Sequence, residues 1–152
     1  MLTGKYAGKK AVILKLFYDG SSNRKFGHAL VAGISRAPRK VTKDMSEARI
    51  ARRIRIKPFV KYVNYNHFMP TRYKLGEHMD IKGIIKSFDS HSTLKKEGEE
   101  AKTKDPLVNA DFKTKLKIEI KKTLETKFQS LDLNDQSADN QLVKFFFKPL
   151  RF

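Results

Sequence analysis

The feature that most constrains this chain is where its charge lies. Residues 1–75 carry 18 Lys and Arg against three acids, Asp19, Asp44 and Glu47, a net of +15. Residues 76–152 carry 15 against 13, a net of only +2. A compact segment with so one-sided a balance repels itself. A polyanion removes that repulsion and releases counterions on binding, which makes association strong and salt-dependent. Solubility alone does not need such an imbalance, so nucleic acid is the partner the charge points to, ahead of a membrane surface. The asymmetry also predicts two differently employed segments, a basic binding unit at 1–75 and an extension at 76–152.

Other classes are excluded by what the chain lacks. Hydrophobic residues make up 39%, below the roughly 45–50% usual for globular domains. A small core is expected, with part of the shape supplied by a partner. No apolar run approaches the roughly 20 residues that span a bilayer, and no basic-then-apolar leader opens the chain. There is no cysteine, which excludes disulfides and zinc–thiolate sites and fits a reducing compartment. Gly4-x-x-x-Gly8-Lys9-Lys10 falls short of a nucleotide-binding loop. That loop needs one more residue between the glycines and a Ser or Thr where Lys10 stands. His28, His67, His78 and His91 lack metal-ligand spacing, and His28 reads as a strand-edge residue. No nucleophile elbow appears, and the first half has too few acids for an acid/base pair. Neither catalysis, cofactor nor metal is expected.

The first half reads as short strands separated by turns. Gly4–Lys10 is a glycine-punctuated turn, Ala11–Leu16 a buried strand, Asp19–Asn23 a turn and Ala29–Ile34 a second strand. Pro38 interrupts, and Val41-Thr42 forms a short third strand. This spacing predicts a small β-barrel. Ser46 caps a helix over Glu47–Ile56, with Arg49, Arg52 and Arg53 on one face and Ile50 and Ile54 on another. Pro58 limits it. Phe59–Tyr65 is a strand with alternate residues turned inward, and Met69–Leu75 leaves the Asn66-His67 turn extended. In the second half Lys95–Lys104 reads as a charged loop. Asp105-Pro106 starts a long amphipathic helix, about residues 106–131. Its Phe112, Leu116, Ile120, Leu124 and Phe128 recur every four residues and should pack on protein. Leu131–Gln141 reads as a loop. The tail, Phe145-Phe146-Phe147-Lys148-Pro149-Leu150-Arg151-Phe152, is too short for a core of its own and should dock in a groove of protein or RNA.

Basic residues interleaved with aromatics are the most informative pattern. Lys61, Tyr62, Tyr65, His67, Phe68, Arg72, Tyr73 and Lys74 lie within fourteen residues. Lys and Arg suit phosphate contacts, while Tyr and His can stack on unpaired bases. The expected RNA-binding set starts with Lys5, Lys9, Lys10 and Lys15. It continues with Arg24 and Lys25 of the first turn and Arg36, Arg39, Lys40 and Lys43 around Pro38. Arg49, Arg52, Arg53, Arg55 and Lys57 belong to the helix and its exit, and Lys61, Tyr65, Asn66, His67, Arg72 and Tyr73 complete it. No RNP-type aromatic motif or GXXG loop is present, which points to recognition by shape and backbone.

Gly4-Lys5-Tyr6-Ala7-Gly8-Lys9-Lys10-Ala11-Val12-Ile13-Leu14-Lys15 resembles the second half of a KOW motif. His28–Ile34, Pro38-Arg39-Lys40-Val41-Thr42, Phe59-Val60-Lys61, Asn64-Tyr65-Asn66-His67 and Met69-Pro70-Thr71-Arg72-Tyr73 extend the likeness. So do Asp105-Pro106, Phe146-Phe147 and Leu150-Arg151-Phe152. Together these resemble the eukaryotic large-subunit ribosomal protein family "L twenty-seven e". The resemblance implies a mostly β, SH3-like (KOW) barrel at 1–75 and an α-helical and extended C-terminal extension at 76–152. It implies a structural, non-enzymatic protein packed on large-subunit rRNA beside neighbouring ribosomal proteins, in a cytosolic ribosome assembled in the nucleolus. Two departures stand out. The family has another strand before the glycine turn, of which Met1-Leu2 would be only the end; either the true start lies upstream or the barrel closes differently. Residues 86–104 and 129–141 look like insertions. A KOW-type regulator of transcription elongation is the alternative, and both the excess of +15 over residues 1–75 and the Asn64–Tyr73 block argue against it.

Overall fold

A computed structural model describes residues 1–20, 23–75, 107, 110–131 and 136–150. Three strands, β1 (Ala11–Phe17), β2 (His28–Arg36) and β3 (Lys57–Asn64), form an antiparallel sheet in the order β1-β2-β3. Helix α1 (Glu47–Ile54) lies in the connection from β2 to β3, and a single 3₁₀ turn (Tyr65–His67) follows β3. Helices α2 (Ala110–Gln129) and α3 (Ala138–Phe147) belong to the second half.

The central strand explains the architecture. His28–Ile34 is buried at every position, so both faces of the sheet are covered, and its near-continuous apolar run is what such a strand requires. On one face Leu14, Leu30, Ala32, Ile34 and Val60 pack with Phe112, Leu116, Ile120 and Leu124 of α2 and Val143, Phe146 and Phe147 of α3. On the other, Ala29, Val31, Phe59 and Val63 are covered by Met1, Tyr6, Tyr65 and Phe68. Tyr6 stacks flat on Phe59, with ring centroids 4.0 Å apart. That arrangement requires glycine at position 33. A Cβ there would lie 2.5 Å from the Lys10 carbonyl oxygen and 2.7 Å from the Phe59 ring.

Each edge of the sheet carries an adjustment. Ile13 pairs with Val31 and Lys15 with Leu30. Leu14 is therefore the extra residue of a bulge, and its side chain joins the helix-facing cluster. Pro58 sits inside β3, opposite Ile34. It is tolerated there because β3 is an edge strand whose missing N–H breaks no second ladder.

The long helix fulfils its four-residue repeat. Phe112, Leu116, Ile120 and Leu124 are buried, and Phe128 meets Phe147 edge-on at 5.3 Å. The Ile56 amide donates to Glu125 Oε1 at 3.3 Å, tying the start of β3 to α2.

Several expectations change. The described residues form an open three-stranded sheet rather than a closed barrel. α2 and α3 cover one face of that sheet. Val41-Thr42 is irregular backbone, because the β2–β3 connection is spent on α1. That helix stops at Ile54, and β3 already starts at Lys57. The loop expected to run to Gln141 gives way at Ala138 to α3, whose start is capped by Ser137 Oγ accepting from the Asn140 amide. The aromatic tail is therefore partly helix. Phe146 and Phe147 fill a groove of this chain itself, between the sheet and α2. Lys95–Lys104 and Asp105-Pro106 lie outside the described residues.

Leu116, 1% exposed, and Ile118, 50% exposed, sit on opposite faces of α2. Leu116→Ala is expected to lower unfolding stability by about 2–5 kcal/mol, and Ile118→Ala by no more than about 0.5 kcal/mol. Urea titrations followed by circular dichroism read both. Equal losses would mean that α2 does not pack on the sheet as described.

Candidate nucleic-acid interface

Because both sheet faces are filled, the cations of residues 1–75 collect mainly at the two ends of the strands. At the end where β2 leaves and β3 begins stand Arg36, Arg39, Lys40, Lys43, α1, Arg55 and Lys57. An eight-residue helix with no buried side chain cannot hold itself in water, so α1 is held by its neighbours. Arg36 Nη2 donates to the Arg52 carbonyl at 3.0 Å, and the Arg39 amide donates to the Arg53 carbonyl at 3.0 Å. These contacts satisfy carbonyls that a helix end leaves open, and place a cation at its negative pole. Arg53 Nη1 in turn donates to the Lys40 carbonyl at 2.8 Å.

The expected three-arginine face is thus divided. Arg53 is half-buried and faces its own chain, while Arg49 and Arg52 are exposed. Arg39, Lys40, Lys43, Arg55 and Lys57 are exposed as well. Among the described residues, no acid pairs with any of these seven side chains.

At the opposite end, the β1–β2 hairpin meets the turn after β3. The Arg24 guanidinium lies 4.4 Å over the Tyr62 ring, and Lys25 is exposed. Tyr65 is half-buried, and its hydroxyl donates to the Phe17 carbonyl at 3.2 Å. The Asn64 side chain accepts from the Asn66 amide at 3.0 Å, which fixes the turn and leaves Asn66 and His67 exposed. Tyr73 does not join them. It leans on Phe145 of α3, with centroids 6.0 Å apart. Lys61 is exposed on β3, Lys15 half-buried on β1, and Lys5 and Arg72 exposed in loops.

Lys10 has an internal task. Its ammonium donates to the Phe145 carbonyl and, at 2.8 Å, to the Lys148 carbonyl, and lies 3.4 Å over the Phe145 ring. The glycine turn before β1 thereby clamps the C-terminal end of α3. Partial burial, and then the nearby Lys148 charge, hold its pKa below the ordinary 10.5.

His28 opens the central strand and does not sit on a sheet edge. It is 1% exposed, stacks on Phe17 at 4.9 Å and meets Tyr62 edge-on at 5.5 Å. Its Nδ1 lies 2.9 Å from the Phe26 carbonyl. Those contacts make it a packing residue. Among the described residues, no group of three or more His, Asp or Glu is placed to hold a metal ion, and no helix is long and apolar enough to cross a membrane.

The most exposed aromatic among the described residues stands outside the expected set. Tyr18, 73% exposed, projects from the hairpin beside Tyr65, with centroids 6.2 Å apart. In the sequence it lies more than forty residues before the aromatic–basic run of 61–74, and only the fold joins the two.

This geometry coincides with a match to the ribosomal L27e protein family that runs over residues 1–152. The chain belongs to that family. The large ribosomal subunit protein eL27 of Tetrahymena thermophila is 43% identical over 152 residues, covering 100% of this chain and 92% of that protein. The large ribosomal subunit protein eL27A of Schizosaccharomyces pombe is 44% identical over 149 residues, covering 98% and 89%. The large ribosomal subunit protein eL27 of Solanum tuberosum is 52% identical over 86 residues, covering 57% and 61%. The resemblance carried by Gly4–Lys15 and Asn64–Tyr73 is thereby extended across the helices of the second half.

The lowered pKa of Lys10 has a fixed sign. Below its folded value, holding the charged ammonium costs the fold stability, and that cost fades as pH rises through the folded value toward 10.5. Removing the second cause should raise the pKa. In Lys148→Gln, NMR titration of the Lys10 side chain is expected to move upward. An unchanged or lower value would mean that the two ammonium groups are not neighbours.

Proposed function

We propose that this chain is a structural constituent of the large subunit of a cytosolic ribosome, held against rRNA by neutralising phosphates. Membership of the L27e family and the names of its relatives support the reading. The observation that carries it is the α1 end of the sheet, where seven exposed cations stand without an acidic partner among the described residues. Such a surface is costly alone and favourable against RNA.

The nine residues of β2 separate the two cationic ends by roughly 26 Å, at about 3.3 Å per residue. That span lets one rigid sheet touch two RNA segments that would otherwise repel each other. Arg39, Lys40, Lys43, Arg49, Arg52, Arg55 and Lys57 serve one segment. Lys25, Asn66 and His67 serve the other, and Lys5, Lys9, Lys15, Lys61 and Arg72 add contacts along the flanks. Lys10, Arg24, Arg36, Arg53 and Tyr65 act mainly by holding the elements that carry them, and Tyr73 by leaning on α3. We read the sheet as the SH3-like (KOW) unit implied by Gly4–Lys15, with α2 and α3 as its cover. Neighbouring ribosomal proteins are the second class of partner, assembly is nucleolar, and no catalysis is involved.

Affinity for large-subunit rRNA, measured against salt, tests this. The logarithm of the association constant should fall steeply with the logarithm of salt concentration. Replacing Arg49 and Arg52 by Gln should reduce that slope by about one unit per lost phosphate contact and leave circular dichroism unchanged. A shallow slope, or one indifferent to both substitutions, would contradict the proposal.

A further inference from the structure

We infer that Tyr18 is a stacking platform for an unpaired RNA base, an inference that rests on the RNA-binding reading above and gives it a specific contact. Its exposure, 73%, is the highest among the large apolar and aromatic side chains of the described residues. A single exposed aromatic is ordinary on a protein surface. Two features set this one apart.

The first is that its position is fixed. Gly20 holds φ +79°, and a Cβ there would fall 2.5 Å from the Arg24 carbonyl oxygen. The turn can take this path only with glycine. Across the hairpin, Gly27 lies against the Tyr18 backbone, and a Cβ there would fall 2.8 Å from the Tyr65 ring. Tyr65 is anchored by its bond to the Phe17 carbonyl and by an edge contact with Phe68 at 5.8 Å. Tyr18 therefore emerges from a tight hairpin beside a second, immobilised ring. A base that stacks on it pays little for ordering the protein.

The second is its electrostatic setting. The hairpin returns the Arg24 backbone alongside Gly20, with exposed Lys25 next in the chain, and exposed Asn66 and His67 follow Tyr65. Asp19 is the acid next to Tyr18 and Lys25 the exposed cation of the same hairpin, while the Arg24 guanidinium is turned to the Tyr62 ring. An aromatic face near a lysine, an amide group and an imidazole suits a single-stranded or bulged nucleotide: Lys25 holds a phosphate and the ring holds the base. An apolar protein partner would gain nothing from Lys25, Asn66 and His67. Stacking tolerates any base, which agrees with the absence of sequence-reading motifs.

The chain has no tryptophan, so Tyr18→Trp places a single reporter at the platform. The probes are a ten-nucleotide oligoadenylate and a blunt RNA duplex of equal length, titrated into the full chain. Wild type, Tyr18→Phe and Tyr18→Trp should bind the single strand alike, while Tyr18→Ala should bind it about 5- to 150-fold more weakly with an unchanged salt slope. All four should bind the duplex equally. Tryptophan emission should be quenched by the single strand and not by the duplex. Unaltered single-strand affinity in Tyr18→Ala, or an unquenched tryptophan in the bound complex, overturns the inference and leaves the RNA-binding reading standing. Failure of the wild-type chain to bind either probe at low salt removes both. Normal RNA binding by Tyr18→Ala, combined with its loss from large subunits in cells, assigns the platform to a protein neighbour instead.

Discussion

The structure depends on a sheet that is buried on both faces. Leu30, Ala32 and Val60 face the helices, and Val31, Phe59 and Val63 face the N-terminal loop. Little of either face is left for charge, so a segment with a net of +15 sends most of its lysines and arginines to the strand ends and the loops beyond them. The apolar pattern thus decides where the electrostatic surface can be. Each covering element also has a cost of order, which burial of side chains such as Leu116 and Phe59 offsets at roughly 1.5–3 kcal/mol each.

A chain with so few acids in its first half must steady its loops by other means. It uses backbone carbonyls as the anionic partners. Arg36 and the Arg39 amide close the end of α1, Arg53 reaches the Lys40 carbonyl, and Lys10 closes the end of α3. A cation spent on the fold can leave an exposed one beside it, as Arg53 leaves Arg52. The division between holding and exposed cations follows from this geometry and cannot be read from residue type.

That division marks what the sequence makes legible. The repeat from Phe112 to Phe128 announces α2 and its buried face, because a four-residue spacing of large apolar side chains has few other uses. The unbroken run at Ala29–Ile34 announces a buried strand. α3 is harder to recognise because its first turn, Ala138-Asp139-Asn140-Gln141, is polar and resembles a loop. Its apolar positions, Leu142, Val143, Phe146 and Phe147, do keep a helical spacing. Closure of a barrel is less legible: strand runs reveal pairing partners, while what covers a sheet is set by distant segments, here the helices of the second half. Tyr65 and Tyr73 are close in sequence and separate in space, whereas Tyr18 and Tyr65 are far apart in sequence and adjacent. Contacts made by chain reversal leave no local trace.

The account stands on one claim, that the bare cations at the α1 end face RNA phosphate. A high-resolution cryo-EM map of large ribosomal subunits from the source cell tests it most directly. The account predicts rRNA phosphates within hydrogen-bonding reach, about 2.7–3.2 Å, of Arg49, Arg52 and the Arg39–Lys43 loop. Finding α1 turned to open solvent or packed on an acidic protein would contradict it.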